Sequence, residues 1–173
     1  MACIRTIFVE KKEEFNVEGK LLLEDFRENL AIKTLENVKV LNKYIIGDIE
    51  EEYYKIALKT IFSELPVDDI YEGKIDVKEG NVAFGVEFLP GQYDQRADSA
   101  SECIMLLTRE KRVEVKWSKI IILQGDLTSE EIKKIKKYYI NPVDSREVDI
   151  NSTDLINEYR EPKDVEILKG FTN

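Results

Sequence analysis

Residues 82–88 read Val-Ala-Phe-Gly-Val-Glu-Phe. Val82, Phe84, Val86 and Phe88 fall on one side of an extended chain and Ala83, Gly85 and Glu87 on the other, the two-residue period of a half-buried strand. The same alternation recurs at Val38, Val40, Tyr44 and Ile46, and at Val113, Val115 and Trp117. Between these runs the spacing changes to that of a helix. Val17, Leu21, Leu22, Phe26 and Leu30 form one stripe, and Tyr54, Leu58, Ile61, Phe62 and Leu65 another. Helix starts are marked by Asp48 with Glu51, Ser99 with Glu102, and Thr128 with Glu131, each the spacing at which a short side chain and a reaching carboxylate satisfy orphan amides.

Laid on itself with an offset of about 77 residues, the chain repeats its punctuation. Val9-Glu10 matches Val86-Glu87, and Phe15 in the following loop matches Tyr93. Tyr44-Ile45-Ile46-Gly47-Asp48 matches Ile121-Ile122-Leu123-Gln124-Gly125-Asp126, and Pro66-Val67-Asp68 recurs as Pro142-Val143-Asp144. Each half reads strand, helix, strand, helix, strand, which predicts six strands and four helices. A sheet with one polar face needs helices on the other, so the expected fold is α+β: a two-layer sandwich in each half, a tandem duplication of a ferredoxin-like βαβαβ unit about a pseudo-twofold axis. The halves are expected at 1–78 and 79–150, joined through the polar connector Asp76-Val77-Lys78-Glu79-Gly80-Asn81. Over 151–173 the pattern decays. Asn151-Ser152-Thr153-Asp154 and Glu161-Pro162-Lys163-Asp164 flank a short apolar stretch at Leu155 and Ile156, and Gly170-Phe171-Thr172-Asn173 forms no element, as expected of the start of a linker to a further domain.

Composition narrows the chemistry. The 173 residues are 43% hydrophobic and 35% charged, an ordinary globular balance. Lys+Arg 26 against Asp+Glu 35 leaves a net charge of −9, which repels phosphate backbones and anionic lipid, so neither nucleic acid nor membrane is an expected partner. Histidine is absent, and with it go the commonest base near neutral pH and the His-dependent triads and metal sites. The two cysteines, Cys3 and Cys103, are far apart, so no zinc site or disulfide scaffold is indicated and a reducing cytoplasm is the expected location. Cys103, in step with Ala100, Ile104 and Leu107, is expected in the core. No apolar run reaches bilayer length.

One segment departs from simple patterning: Leu89-Pro90-Gly91-Gln92-Tyr93-Asp94-Gln95-Arg96-Ala97-Asp98-Ser99, between a strand and a helix. A helix start offers unpaired amides, Pro-Gly permits close backbone approach, and Arg96 adds a bidentate donor, so an anionic ligand or a partner's carboxylate suits this loop. The alternative is a capping loop in which Asp94 or Asp98 pairs with Arg96. Lys133, Lys134, Lys136 and Lys137 read as a solvated helix face balanced by Glu130 and Glu131, and Asp48-Ile49-Glu50-Glu51-Glu52 as acids complementing a helix dipole. Trp117 and the tyrosines raise base stacking as an option, but no basic-aromatic RNA signature accompanies them. No phosphate-binding glycine motif is present, so no residue is assigned a catalytic or metal-binding role.

Val86-Glu87-Phe88-Leu89-Pro90-Gly91-Gln92-Tyr93-Asp94-Gln95-Arg96-Ala97-Asp98-Ser99-Ala100, with Tyr139-Ile140-Asn141-Pro142-Val143-Asp144-Ser145-Arg146-Glu147 and the opening Ile7-Phe8-Val9-Glu10-Lys11-Lys12, closely resembles the N-terminal domain of the large single-chain phosphoribosylformylglycinamidine synthases of bacteria. The resemblance covers the chain to about Ile150. It implies a PurS-like domain, a fused version of a small subunit that elsewhere works as a dimer. The implied enzyme is an ATP-dependent carbon-nitrogen ligase of purine biosynthesis, converting formylglycinamide ribonucleotide to its amidine with ammonia from glutamine. ATP and magnesium are implied for the full-length enzyme and no cofactor for this segment. The implied partners are the synthase and glutaminase domains of the same chain, which this domain would bridge; self-association through surface they normally cover is a further expectation. Pro90, Gly91, Gln92, Asp94, Gln95, Arg96, Asp98 and Ser99 are the expected contact loop for substrate or domain. The segment alone is expected to be catalytically silent. The competing expectation is a stand-alone small-molecule-sensing module with a ferredoxin-like duplication.

Overall fold

The computed structural model describes residues 4–109 and 112–155. Among them the chain runs β1 (Arg5–Lys11), a 3-10 turn at Glu13–Phe15, α1 (Val17–Asn29), β2 (Leu35–Ile46), α2 (Glu51–Thr60), β3 (Asp68–Glu72), β4 (Val82–Phe88), α3 (Gln95–Thr108), β5 (Val115–Gly125), α4 (Ser129–Tyr139) and β6 (Ser145–Val148). The α+β class, six strands and four helices are as the periodicities predict. Each half was expected to carry its own sandwich. Instead all six strands join one antiparallel sheet in the order β3-β1-β2-β5-β4-β6. The two longest strands make its centre, β2 and β5 pairing from Leu35↔Gly125 to Ile46↔Val115. Their pairing leaves no strand edge free at the middle of the sheet.

Side-chain alternation sets the layers. Val38, Val40, Tyr44 and Ile46 of β2 all face the helices. Val38 and Val40 pack with Phe26 of α1 and its C-cap Leu30, Ile135 of α4, and Phe84, Ile121 and Leu123 of β4 and β5. Tyr44 and Ile46 pack with Tyr54 and Ala57 of α2, Ala97, Ala100 and Ile104 of α3, and Ile7 and Val9 of β1. The helices therefore pair across the β2–β5 seam, α1 with α4 and α2 with α3. Each apolar cluster is built from residues on both sides of the connector.

Several local expectations are corrected. Val17 and Leu21 are about 60% exposed, because α1 turns Leu22, Leu23 and Phe26 toward the sheet instead. Cys103 is exposed, since α3 packs through the narrow arc Ala97, Ala100, Ser101 and Ile104. Thr128 and Glu131 do form a capping box. Asp48 and Glu51 do not: buried Ile49 anchors the chain so that α2 starts after Glu50, which makes no side-chain cap. Ser99 and Glu102 lie inside α3, which Asp94 has already capped. Cys3, Ile156 and the loops expected at 161–164 and 170–173 lie outside the described residues.

The helix-free face was expected to be wet, and its centre is buried. Phe8, Leu41 and Ile120 form a third cluster, covered by Ile75 of the β3–β4 connector and Ile150 beyond β6. Lys43, 1% exposed, lies in the row Phe8, Lys43, Ser118 and donates to the Ser152 carbonyl at 2.5 Å. Beside it Glu87 is buried between Lys116 (2.9 Å) and Arg146 (2.7 Å). Burial pushes the Lys43 ammonium down to about 8, opposed by Asp149, Glu87 and Asp154. In the unfolded chain the same amine titrates near ~10.4. Between these values the unfolded state binds more protons, so stability rises with pH. Denaturant midpoints are expected to increase from pH 8 to 9 in the natural protein and not in Lys43→Met; a falling midpoint in the natural protein over that range contradicts the assignment. Above pH ~10 the trend reverses, because Tyr54 and Tyr139 keep their protons in the fold, with Tyr139 raised to about 12 by burial.

Candidate functional site

The loop between β4 and α3 takes its shape from two residues. Gln92 N–H donates to the Leu89 carbonyl at 3.0 Å, with Pro90 and Gly91 between and Gly91 at φ 91°, the geometry of a turn that requires positive φ at its third position. Asp94 then caps α3, its Oδ1 accepting from Ala97 N–H at 3.0 Å. The anion suited to this helix start is thus supplied by the chain's own carboxylate. Burial holds the Asp94 carboxyl above its ordinary range, opposed by the Ala97 and Arg96 amides. A parallel arrangement occurs before α1, where buried Asn16 accepts from Gly19 N–H at 3.1 Å and donates to the Val38 carbonyl at 3.1 Å. A side chain at Gly19 would lie 2.2 Å from that carbonyl, so glycine is what lets α1 approach β2.

Neither Asp94 nor Asp98 forms the ion pair with Arg96 that the capping alternative expects. Asp98 pairs with Arg112 and accepts from Tyr93 Oη at 2.8 Å, and these two partners hold its carboxyl below the usual range. Arg96 points to the sheet centre, donating to Tyr44 Oη at 3.3 Å with its guanidinium 5.4 Å from the Trp117 ring. It makes no ion pair among the described residues. Gly91, Gln92, Gln95 and Ser99 are exposed and Pro90 half-buried. Gln92, Tyr93, Asp94, Asp98 and Arg112 line an open groove of about 340 Å³.

No family model, curated protein or solved structure matches the chain. Trp117, the sole tryptophan, donates from Nε1 to Asn42 Oδ1 at 3.1 Å and lies 5.9 Å from the Phe88 ring. Lys119 Nζ stands 5.9 Å from the Trp117 ring and pairs with Glu18 at 2.5 Å. Tyr44 sits directly opposite Trp117 in the β2–β5 register, and Asn42 opposite Lys119. These four and Arg112 complete the loop's surroundings; sequence reasoning weighed Trp117 and the tyrosines only for base stacking and missed Asn42, Lys119 and Arg112. The signal was present in the two alternating runs containing Tyr44 and Trp117, but only the pairing of β2 with β5 brings them together.

Asp94 is committed to the helix and Asp98 to Arg112 and Tyr93, so the loop presents donors rather than a base. No group of three or more His, Cys, Asp or Glu among the described residues is placed to hold a metal ion. The magnesium implied for a full-length ligase finds no ligand set here, and no chemical step is assigned through it. Among the described residues, no helix is long and apolar enough to cross a membrane.

Proposed function

We propose that this chain is a PurS-like assembly domain: a tandem, pseudo-twofold repeat of a ferredoxin-like βαβαβ unit that bridges the synthase and glutaminase domains of a phosphoribosylformylglycinamidine synthase. One observation carries the repeat. A shift of 77 residues moves Arg5–Lys11 onto Val82–Phe88, and it also moves the β1–β2 pair Arg5↔Ile46 onto Val82↔Leu123 and the β1–β3 pair Phe8↔Tyr71 onto Gly85↔Val148. Under the same shift Asn42 becomes Lys119, its own partner across the seam. In an antiparallel pair, a residue that faces its own equivalent marks a twofold axis through the sheet.

The assignment to the synthase rests on the likeness of residues 86–100 and 139–147 to that family, and the helix-crossed architecture supports it, because a rigid double unit suits holding two other domains in place. Gln92, Arg96 and their neighbours then serve as the contact surface, Arg96 being preset on Trp117 to receive a carboxylate or phosphate. Chemistry, ATP and magnesium belong in this reading to the other domains, and the location is the cytoplasm.

The test is complementation. A synthase–glutaminase polypeptide lacking its N-terminal domain is assayed for glutamine-dependent amidination of formylglycinamide ribonucleotide, with and without this chain. Addition is expected to raise turnover by at least about tenfold, an extra transition-state stabilisation of ~1.4 kcal/mol, while this chain alone gives none. Turnover by this chain alone, or no stimulation on adding it, defeats the reading.

A further inference from the structure

The connector between β3 and β4 roofs a recess of about 410 Å³ on the helix-free face. Its floor is apolar, with Leu41 from β2 and Ile122 from β5 meeting Ile75 of the connector. The recess therefore straddles the seam, and its volume falls in the range of small-molecule sites. Its rim carries Lys39, Lys74 and Lys78. Lys39 is held 2.7 Å from Glu10, whereas Lys74 and Lys78 make no ion pair among the described residues. With Glu10 and Asp76 as the lining carboxylates, the recess keeps an excess of positive charge on a chain whose net charge is −9.

A glycine stands at each end of the roof. Gly73 and Gly80 hold φ 84° and 86°, conformations other residues rarely adopt, and neither has any heavy atom within 4 Å of where a Cβ would stand. Gly73 N–H is anchored to the Thr6 carbonyl at 2.8 Å and Asn81 N–H to the Lys78 carbonyl at 3.0 Å.

We infer that this recess binds a small organic anion with an apolar body, the body resting on Leu41 and Ile122 and the anionic head taken by Lys74 and Lys78. The site is distinct from the β4–α3 loop, which lies on the helix side of the sheet, and it does not depend on the assembly role proposed above. The probe is anilinonaphthalene sulfonate, which has an aromatic body and one anionic group and brightens in apolar surroundings. One saturable site with a Kd on the order of 100 μM is expected at low salt. The double variant Lys74→Glu/Lys78→Glu changes two exposed side chains outside the core and is expected to weaken binding at least tenfold while circular dichroism stays unchanged. Phenyl phosphate is expected to displace the probe and inorganic phosphate is not. Binding that is absent, or equal in the double variant, overturns the site; equal displacement by inorganic phosphate overturns the apolar body.

Discussion

Cut between residues 78 and 79, the protein is expected to give two pieces that are each unfolded as monomers and recover the native sheet when mixed. The reason lies in how the core is shared. Phe26, Leu30, Val38 and Val40 lose Phe84, Ile121, Leu123 and Ile135, while Tyr44, Ile46 and Tyr54 lose Ala97, Ala100 and Ile104. Each piece also bares a central strand along its whole length. A piece that forfeits a third or more of every cluster falls below what a single small core supplies. The check is NMR dispersion of each piece at low concentration, followed by titration of one into the other. A half that folds by pairing with itself will do so only as concentration rises. A well-dispersed monomer of either half at low concentration would falsify the shared core.

Phe26→Ala is expected to cost about 3–5 kcal/mol, the range for truncating a fully buried aromatic. Phe26 has no exposed surface and packs edge-to-face with Tyr138 and Tyr139, ring centroids 6.2 and 6.3 Å away. It thus joins α1 to α4 across the seam, and its loss opens a cavity in the cluster that both halves need. At roughly 2–4 °C per kcal/mol for a chain of this size, the melting temperature should fall by roughly 6–20 °C. Leu21→Ala on the same helix, about 60% exposed, should change stability by no more than about 0.5 kcal/mol. Comparable losses at both positions would mean that α1 packs through a different face.

The comparison of Phe26 with Leu21 also shows how far the sequence could be read. Periodicity located α1 and its apolar content, but five apolar residues span a wider arc than the sheet covers, and nothing local says which edge of the arc is left out. In strands the reading was firmer, because Val82, Phe84 and Val86 can only face one way once any of them is buried. The alternation could not reveal that the other face is also covered, since Phe8 and Lys43 are buried by segments remote in the chain. Of the site, Pro90, Gly91 and Asp94 were legible because turn and cap chemistry is local. Tyr44, Asn42, Trp117 and Arg112 were not, because what brings them to the loop is strand pairing and the return of the chain after α3.

The seam between β2 and β5 also governs the order of events during synthesis. Residues 35–46 leave the ribosome long before their partners at 115–125 exist. Until then the nascent chain holds a strand with one edge bare and two helices with no complete surface to rest on. Non-local pairing of this kind slows folding and leaves sticky intermediates open to aggregation. A slow-codon pause placed between the two halves would lengthen that exposure.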